Sequence, residues 1–275
     1  MKKAINAWCI EANAEFEKTF HDVKAAGFDA VELNIDEKTG AHNFTLTTDD
    51  SLLNKVKDLS REYSLEVSCI SSSLYAGYLG CDDEKSVDYA LSIMKKQIEI
   101  ARALETKSIM LVPGSVPKTS YLTGYRNAAK TISEIIPDLE KYNISASVEN
   151  VWNSFFTSAF DMSVFLDLVD SEFVGATFDI GNCCAFSYPE HWIEVLGKRI
   201  FEVHVKDFKR NSSLLNRGGV FCNLGDGDVD FNFASDKLKD IGFSGYLTAE
   251  VFKLDENQTY GEFYKSVSDF IGKMI

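Results

Sequence analysis

Short apolar runs alternate with longer amphipathic stretches along the whole of this chain, and that alternation limits the fold more than any other feature. The runs cover 4–9, 30–33, 65–70, 108–112, 144–148, 174–178, 201–205 and 246–251. Each is of strand length and rich in β-branched or aromatic residues. Between them the spacing predicts helices over 14–26, 50–63, 84–104, 121–142, 160–170, 190–196, 231–241 and 260–273. Ala26-Gly27-Phe28 and Ile241-Gly242-Phe243 read as helix C-caps that lead into the next strand. Regular strand–helix alternation means βα units around a parallel sheet. An open doubly wound sheet would carry a glycine-rich phosphate turn after an early strand, and none is written here. The expected fold is therefore one (β/α)₈ barrel domain over residues 1–275, slightly longer than the roughly 250 residues usual for that fold.

In such a barrel the chemistry sits at the C-terminal ends of the strands, which says where to look. Strand five ends on Glu149 (ISASVEN) and strand six on Asp179 (VGATFDIGN). Strand seven delivers His204 (FEVHVKD) and strand eight Glu250 (YLTAEV). A lone carboxylate at a strand end is commonly a helix cap or ion pair, and a lone histidine is commonly hydrogen-bonded core. Four on consecutive strands are a different matter. Three converging carboxylates repel one another unless a cation intervenes, and three oxygens with one imidazole suit Mn²⁺, Zn²⁺, Co²⁺ or Mg²⁺. One divalent metal ion is expected.

The same residues carry a resemblance. VEN, FDIGN, VHVKD and TAEV, with LGDGDVDF between the last two, resemble the xylose-isomerase-like barrel superfamily. Within it they look most like sugar-phosphate isomerases and epimerases, in particular L-xylulose/L-ribulose 5-phosphate 3-epimerases. Strands five to eight match closely; the first half matches mainly through Val31-Glu32-Leu33. The resemblance implies that Glu149, Asp179, His204 and Glu250 bind the metal, with the two glutamates also acting as acid and base. The chemistry agrees. Epimerising C3 of a 2-ketose removes a proton beside a carbonyl and returns one on the other face, which asks for two carboxylates on opposite sides. Related ketohexose 3-epimerases carry a histidine three residues after the strand-six Asp and an arginine six after the strand-seven His. This chain keeps the arginine as Arg210 but has Asn182 in place of the histidine, a substitution that argues against a free ketohexose.

The expected substrate is a sugar or sugar phosphate, a pentulose 5-phosphate foremost, held by Asn182, Lys206, Arg210 and Glu32. Arginine can grip phosphate through paired hydrogen bonds, and the amides of Gly225-Asp226-Gly227-Asp228 offer an anion cradle unless that loop only launches the next helix from Asp230. For Glu32 a buried ion pair and a substrate hydrogen bond weigh equally. Trp8, Trp152 and Phe186 are candidate pocket walls, and Tyr75-Ala76-Gly77-Tyr78 a candidate lid. Among the other histidines, His42 reads as surface, and His21 and His191 as structural. Rival enzymes on the same residues are an aldose–ketose or hydroxypyruvate-type isomerase and an inosose-type dehydratase. A non-catalytic sugar-binding protein would be expected to have lost one of the four.

Composition narrows the partners. A net charge of −14 opposes a polyphosphate backbone, so no nucleic-acid partner is expected, and four histidines are too few for a multi-metal endonuclease cluster. No run approaches the roughly 18 apolar residues of a membrane span. Six cysteines without a CxxC or finger spacing read as reduced thiols, and the opening MKKAINAWCI reaches Glu11 before a signal-peptide apolar region forms. A cytoplasmic location is expected. The oligomeric state is open, a homo-oligomer included.

Overall fold

A computed structural model of the chain describes residues 1–75, 77–114, 119–211 and 218–275. Eight parallel strands close into a barrel. In chain order they are β1 (Lys2–Asn6), β2 (Ala30–Ile35), β3 (Glu66–Ser72), β4 (Ser108–Leu111), β5 (Ser145–Glu149), β6 (Val174–Asp179), β7 (Ile200–Val205) and, after a separate antiparallel pair β8 (Asp207–Arg210) and β9 (Gly219–Cys222), β10 (Tyr246–Ala249). Around the ring β1 is followed by β10, β7, β6, β5, β4, β3 and β2, so β10 takes the eighth place.

The outer layer comprises α1 (Phe16–Ala25), α2 (Asp50–Tyr63), α3 (Glu84–Ala103), α4 (Tyr121–Ser133), α5 (Ile136–Tyr142), α6 (Ala159–Val169), a single turn α7 (Ile180–Cys183), α8 (Pro189–Leu196), α9 (Phe231–Asp240) and α10 (Tyr260–Gly272). Short polar side chains fix where most of them begin. Asp49, Asp83, Ser120, Ser158, Asp230 and Thr259 each accept from a backbone N–H of the first turn, satisfying donors that the helix itself cannot. The expected C-caps Gly27 and Gly242 hold φ of 88° and 77°, a region open to glycine without strain.

Two expectations about elements need correcting. The helix expected over 121–142 is two, because Pro137 lies at the start of α5 and cannot donate to a continuing helix. The first strand ends at Asn6, and Ala7–Cys9 form a 3₁₀ turn on which Asn6 accepts from the Trp8 amide. The antiparallel β8–β9 pair lies outside the eight apolar runs that mark the barrel strands in the sequence.

Side chains along the strands alternate between two surroundings. Phe178 stacks on Trp192 of α8 at 5.9 Å, so that face of β6 meets the helices. Its neighbour Thr177 points inward, where its hydroxyl lies 2.6 Å from that of Ser147 on β5. The inner face is polar: Asn6, Glu32, Ser147, Thr177, Glu202 and Thr248 are all buried. Many barrels fill this space with bulky aliphatics.

The β3–β4 seam is thin, with one paired position, Ile70 opposite Ile109. Gln97 of α3, wholly buried, reaches across it and donates to the carbonyls of Ile70 (2.7 Å) and Met110 (2.8 Å), and its own oxygen accepts from the Tyr75 hydroxyl. Gln97→Leu strands buried polar groups on both strands. It should lower the unfolding free energy by about 2–4 kcal/mol, as measured by urea titration.

Candidate functional site

Four strand ends converge at one mouth of the barrel. Glu149 closes β5, Asp179 closes β6, His204 lies near the end of β7, and Glu250 follows β10. A register shift in β6 between Ala176 and Thr177 brings Asp179 opposite His204, and Thr248 pairs with His204 from the other side. One donor atom from each of the four lies within 4.8 Å of all the others. His204 Nδ1 stands 3.0 Å from Glu149 Oε1 and 3.1 Å from Glu250 Oε2. All four are buried or nearly so.

Local structure explains the placement of Asp179. Asn150 pairs with its backbone in both directions, donating to the Asp179 carbonyl (3.0 Å) and accepting from its amide (2.8 Å). Asn182 donates to the Asn150 carbonyl at 3.0 Å, so the VEN and FDIGN segments interlock. Asp179 Oδ1 accepts from the Asn182 amide and caps α7. Oδ2 is buried and has no hydrogen bond, although Lys206 Nζ stands 3.1 Å away as an ion pair. Lys206 also meets Glu250 Oε2 at 3.0 Å and lies over the Phe221 ring at 5.0 Å. Gly181 makes room for it, since a Cβ there would come within 2.7 Å of the Lys206 Cβ.

Burial and neighbours set the two glutamates apart. Burial pushes the Glu149 carboxyl up to about 7 against the attraction of His204. Burial also opposes ionisation of Glu250, but Lys206 and His204 overcome it and hold the group down at about 2. Asp179 is raised by burial, in part offset by Lys206. For His204, burial favours the neutral ring, yet Glu32 and Glu149 keep its pKa well above the ordinary value.

Several expected substrate contacts have internal partners instead. Glu32 is fully buried beneath the cluster: Oε1 accepts from Asn6 Nδ2 at 2.8 Å and Oε2 lies 3.1 Å from His204 Nε2. Of the two readings of Glu32, the buried ion pair is the one observed. The Arg210 guanidinium donates to the carbonyls of Cys184 (2.7 Å) and Ser187 (2.6 Å) and lies over the Tyr188 ring. The glycine-bearing loop does cradle an anion, but that anion is the protein's own. Asp207 accepts from the amides of Gly225 (2.8 Å), Gly227 (2.9 Å), Val229 (3.4 Å) and Phe208 (2.8 Å). Asp230 caps α9, as the sequence suggested. Lys206 and Asn182 do stand at the cluster.

Trp152 stacks on Phe221 at 4.8 Å, meets Phe208 edge-on, and donates from Nε1 to the Asn182 carbonyl at 2.9 Å. This wall borders Lys206. Trp8 borders a cleft of about 550 Å³ together with Asn34, Asp36, Lys38 and His42. His42, expected at the surface, is half-buried, with ring nitrogens 2.8 Å and 3.2 Å from the carbonyls of Ala14 and Ala7. His21 and His191 lie exposed on α1 and α8, and Phe186 is half exposed. Tyr75 of the expected lid is core, tied to Gln97; Tyr78 packs on Tyr89, and Ala76 lies outside the described residues. A cavity of about 700 Å³ opens among Lys107, Ser145, Ile200 and Gly245, at the N-terminal end of the barrel and away from the cluster.

Three functional-site neighbours were not foreseen: Asn150, Asp207 and Glu202. Period two on β7 would have found Glu202, two residues before His204 on the same face. Neither Asn150 nor Asp207 is marked in the sequence by strand period or by a ligand motif.

The family described as "Xylose isomerase-like TIM barrel" matches residues 20–265. The chain belongs to that family. An uncharacterized protein, MJ1311, of Methanocaldococcus jannaschii is 26% identical over 204 residues, 70% of this chain and 67% of its own. The inosose isomerase of Bacillus velezensis is 25% identical over 240 residues, 81% of this chain and 82% of its own. The solved structure of an L-ribulose 3-epimerase superposes with a TM-score of 0.79 at 19% identity, covering 99% of this chain and 94% of that one. Among the described residues no helix is long and apolar enough to cross a membrane.

The Asp207 cradle generates a contrast between two glycines. A Cβ at Gly227 would fall 2.0 Å from Asp207 Oδ1, whereas one at Gly261 in α10 meets nothing within 4 Å. Gly227→Ala must break the cradle and should cost about 2–3 kcal/mol in urea unfolding. Gly261→Ala should be neutral or stabilising by up to about 1 kcal/mol.

Proposed function

We propose that the protein is a metal-dependent ketose 3-epimerase in which Glu149 and Glu250 move a proton on and off the carbon beside a carbonyl. The observation that supports this most is the pair of glutamates themselves. They stand on strands three places apart around the ring, meet the same imidazole nitrogen, and have opposite tendencies to ionise. Two carboxyl groups whose surroundings push their proton affinities apart are suited to acid and base roles at one pH.

The residues fit a cation. Asp179 Oδ2 is buried without a hydrogen bond and meets a cation already, the Lys206 ammonium at 3.1 Å, and the ligand atoms gathered beside it are carboxylate oxygens and one imidazole. Glu149, Asp179, His204 and Glu250 would hold one Mn²⁺, Zn²⁺, Co²⁺ or Mg²⁺. When bound, such an ion supplies an electrophile for the ketose carbonyl and positive charge for the enediolate. Glu250, held ionised by Lys206 and His204, is the base in one direction. Glu149, whose proton affinity burial raises, returns a proton on the opposite face, and the roles exchange in reverse. Lys206 and Asn182 line the same mouth and offer donors to substrate hydroxyls. The stacked rings of Trp152 and Phe221 border this mouth beside Lys206.

The inosose isomerase relative supports a second reading, an isomerase acting through the same proton transfer at a different carbon. Turnover in D₂O separates the two. Deuterium at C3 supports the epimerase; deuterium confined to C1 of the ketose supports the isomerase. Glu149→Gln and Glu250→Gln should each lower kcat by roughly 10²–10⁴-fold. A variant retaining more than a tenth of wild-type kcat would remove that glutamate from the mechanism.

The substrate we favour is a pentulose, with the 5-phosphate expected from sequence tested against its parent sugar. Arg210 and the 225–228 loop already serve internal partners. The kcat/KM values for the two sugars should therefore lie within about tenfold, since a dedicated phosphate clamp, with its charge-assisted bonds, would separate them further. A preference above 100-fold for the phosphate, lost in Arg210→Ala, would restore the clamp.

A further inference from the structure

The imidazole of His204 is surrounded by acceptors. Glu149 and Glu250 face Nδ1, and Glu32 faces Nε2. To bind a cation this ring must give up one of its two protons, and only the nitrogen left bare can be the ligand. Which nitrogen is bare depends on where the proton has its better acceptor.

The packing answers this on the Nε2 side. Glu32 is fully buried, and each of its carboxylate oxygens faces a protein partner. Its Oε1 is fixed by Asn6 Nδ2 at 2.8 Å. Asn6 in turn cannot flip, because its Oδ1 accepts from the Trp8 amide at 2.8 Å. The Trp8 amide thus orients Asn6, Asn6 orients Glu32, and Glu32 presents Oε2 to His204 Nε2 at 3.1 Å. The buried Glu202 lies in the same pocket, with one donor atom each from Glu32, Glu202 and His204 within 4.8 Å of one another. Its Oε2 is buried without a partner.

We propose that Glu32 is a positioning residue that accepts the Nε2 proton of His204, so that Nδ1, aimed between Glu149 and Glu250, is the nitrogen that would bind the ion. The inference rests on the reading of His204 as a metal ligand and goes one layer beneath it. A carboxylate behind a ligating histidine fixes ring orientation and makes the facing nitrogen a better donor, and loss of such a partner typically weakens metal affinity 10–100-fold. Glu32 touches neither substrate nor ion. It acts through His204 alone.

Glu32→Gln is the informative change, because it keeps the size of the side chain while its amide can donate to Nε2 and drive the proton to Nδ1. Mn²⁺ affinity of the full chain is measured by counting free ion in electron paramagnetic resonance. The tautomer of His204 is read from ¹⁵N shifts of histidine-labelled protein, metal-free and Zn²⁺-loaded, with His204→Ala used to assign the signal. The expected result is a 10–100-fold weaker Mn²⁺ affinity in Glu32→Gln, with a smaller share of His204 carrying its proton on Nε2 in the Zn²⁺-loaded variant. Mn²⁺ affinity of Glu32→Gln within twofold of wild type, in a chain whose affinity still depends on His204, overturns the role of Glu32 and leaves the metal reading standing. His204→Ala with undiminished Mn²⁺ affinity overturns the metal reading, and this inference with it. Should Glu32→Gln fail to fold, the wild-type spectrum decides: Zn²⁺-loaded protein with the proton on Nε2 supports the assignment, and a proton on Nδ1 overturns it.

Discussion

Everything at the mouth of this barrel follows from keeping like charges together away from water. Five buried acids, Glu32, Glu149, Asp179, Glu202 and Glu250, share the inner face with one histidine and one lysine. Isolated carboxylates in such surroundings would simply take up protons. Here His204 stands among three of them and Lys206 between two. The two cations alternate along one strand, two residues apart, so β7 threads positive charge through a ring of negative charge. Removing either cationic side chain would leave acids facing acids, and the groups best suited to a divalent ion would neutralise themselves instead.

That constraint also explains why the backbone around the cluster is tied so tightly by side chains. Asn150, Asn182 and Asp207 spend their polar groups on main-chain partners. They fix strand ends and turns that would otherwise yield to electrostatic repulsion.

Much of this was legible from residue order. Period-two strands and 3.6-period helices placed all eight barrel strands and the four strand-end residues, because a barrel wall imposes those periods on the sequence. What was not legible was the direction of a polar side chain once placed. Glu32 and Arg210 are on the right strands and loops, but the choice between substrate and protein partner depends on contacts 172 and 26 residues distant in the chain. The 225–228 loop is the clearest case: its amides do bind an anion, and only the fold reveals that Asp207 is that anion. The β8–β9 hairpin escaped notice because its strands are short and partly polar, and a twofold alternation over four residues cannot be told from a turn. The break in the fourth helical stretch was signalled by Pro137, and the amphipathic spacing on either side of it disguised the interruption.

The thin seam between β3 and β4 has a consequence for how the molecule breathes. Strands with sparse pairing are where sub-global opening begins, since such openings follow the weakest cooperative boundary. Around this ring that boundary lies opposite the junction of β7 with β10, which carries His204 and leads into Glu250. An excursion that parts β3 from β4 turns the closed cylinder into a curved open sheet whose middle still holds β10, β7, β6 and β5 side by side. The four converging residues would then outlast the barrel itself, and amides of β6 and β7 should be among the last to exchange with solvent.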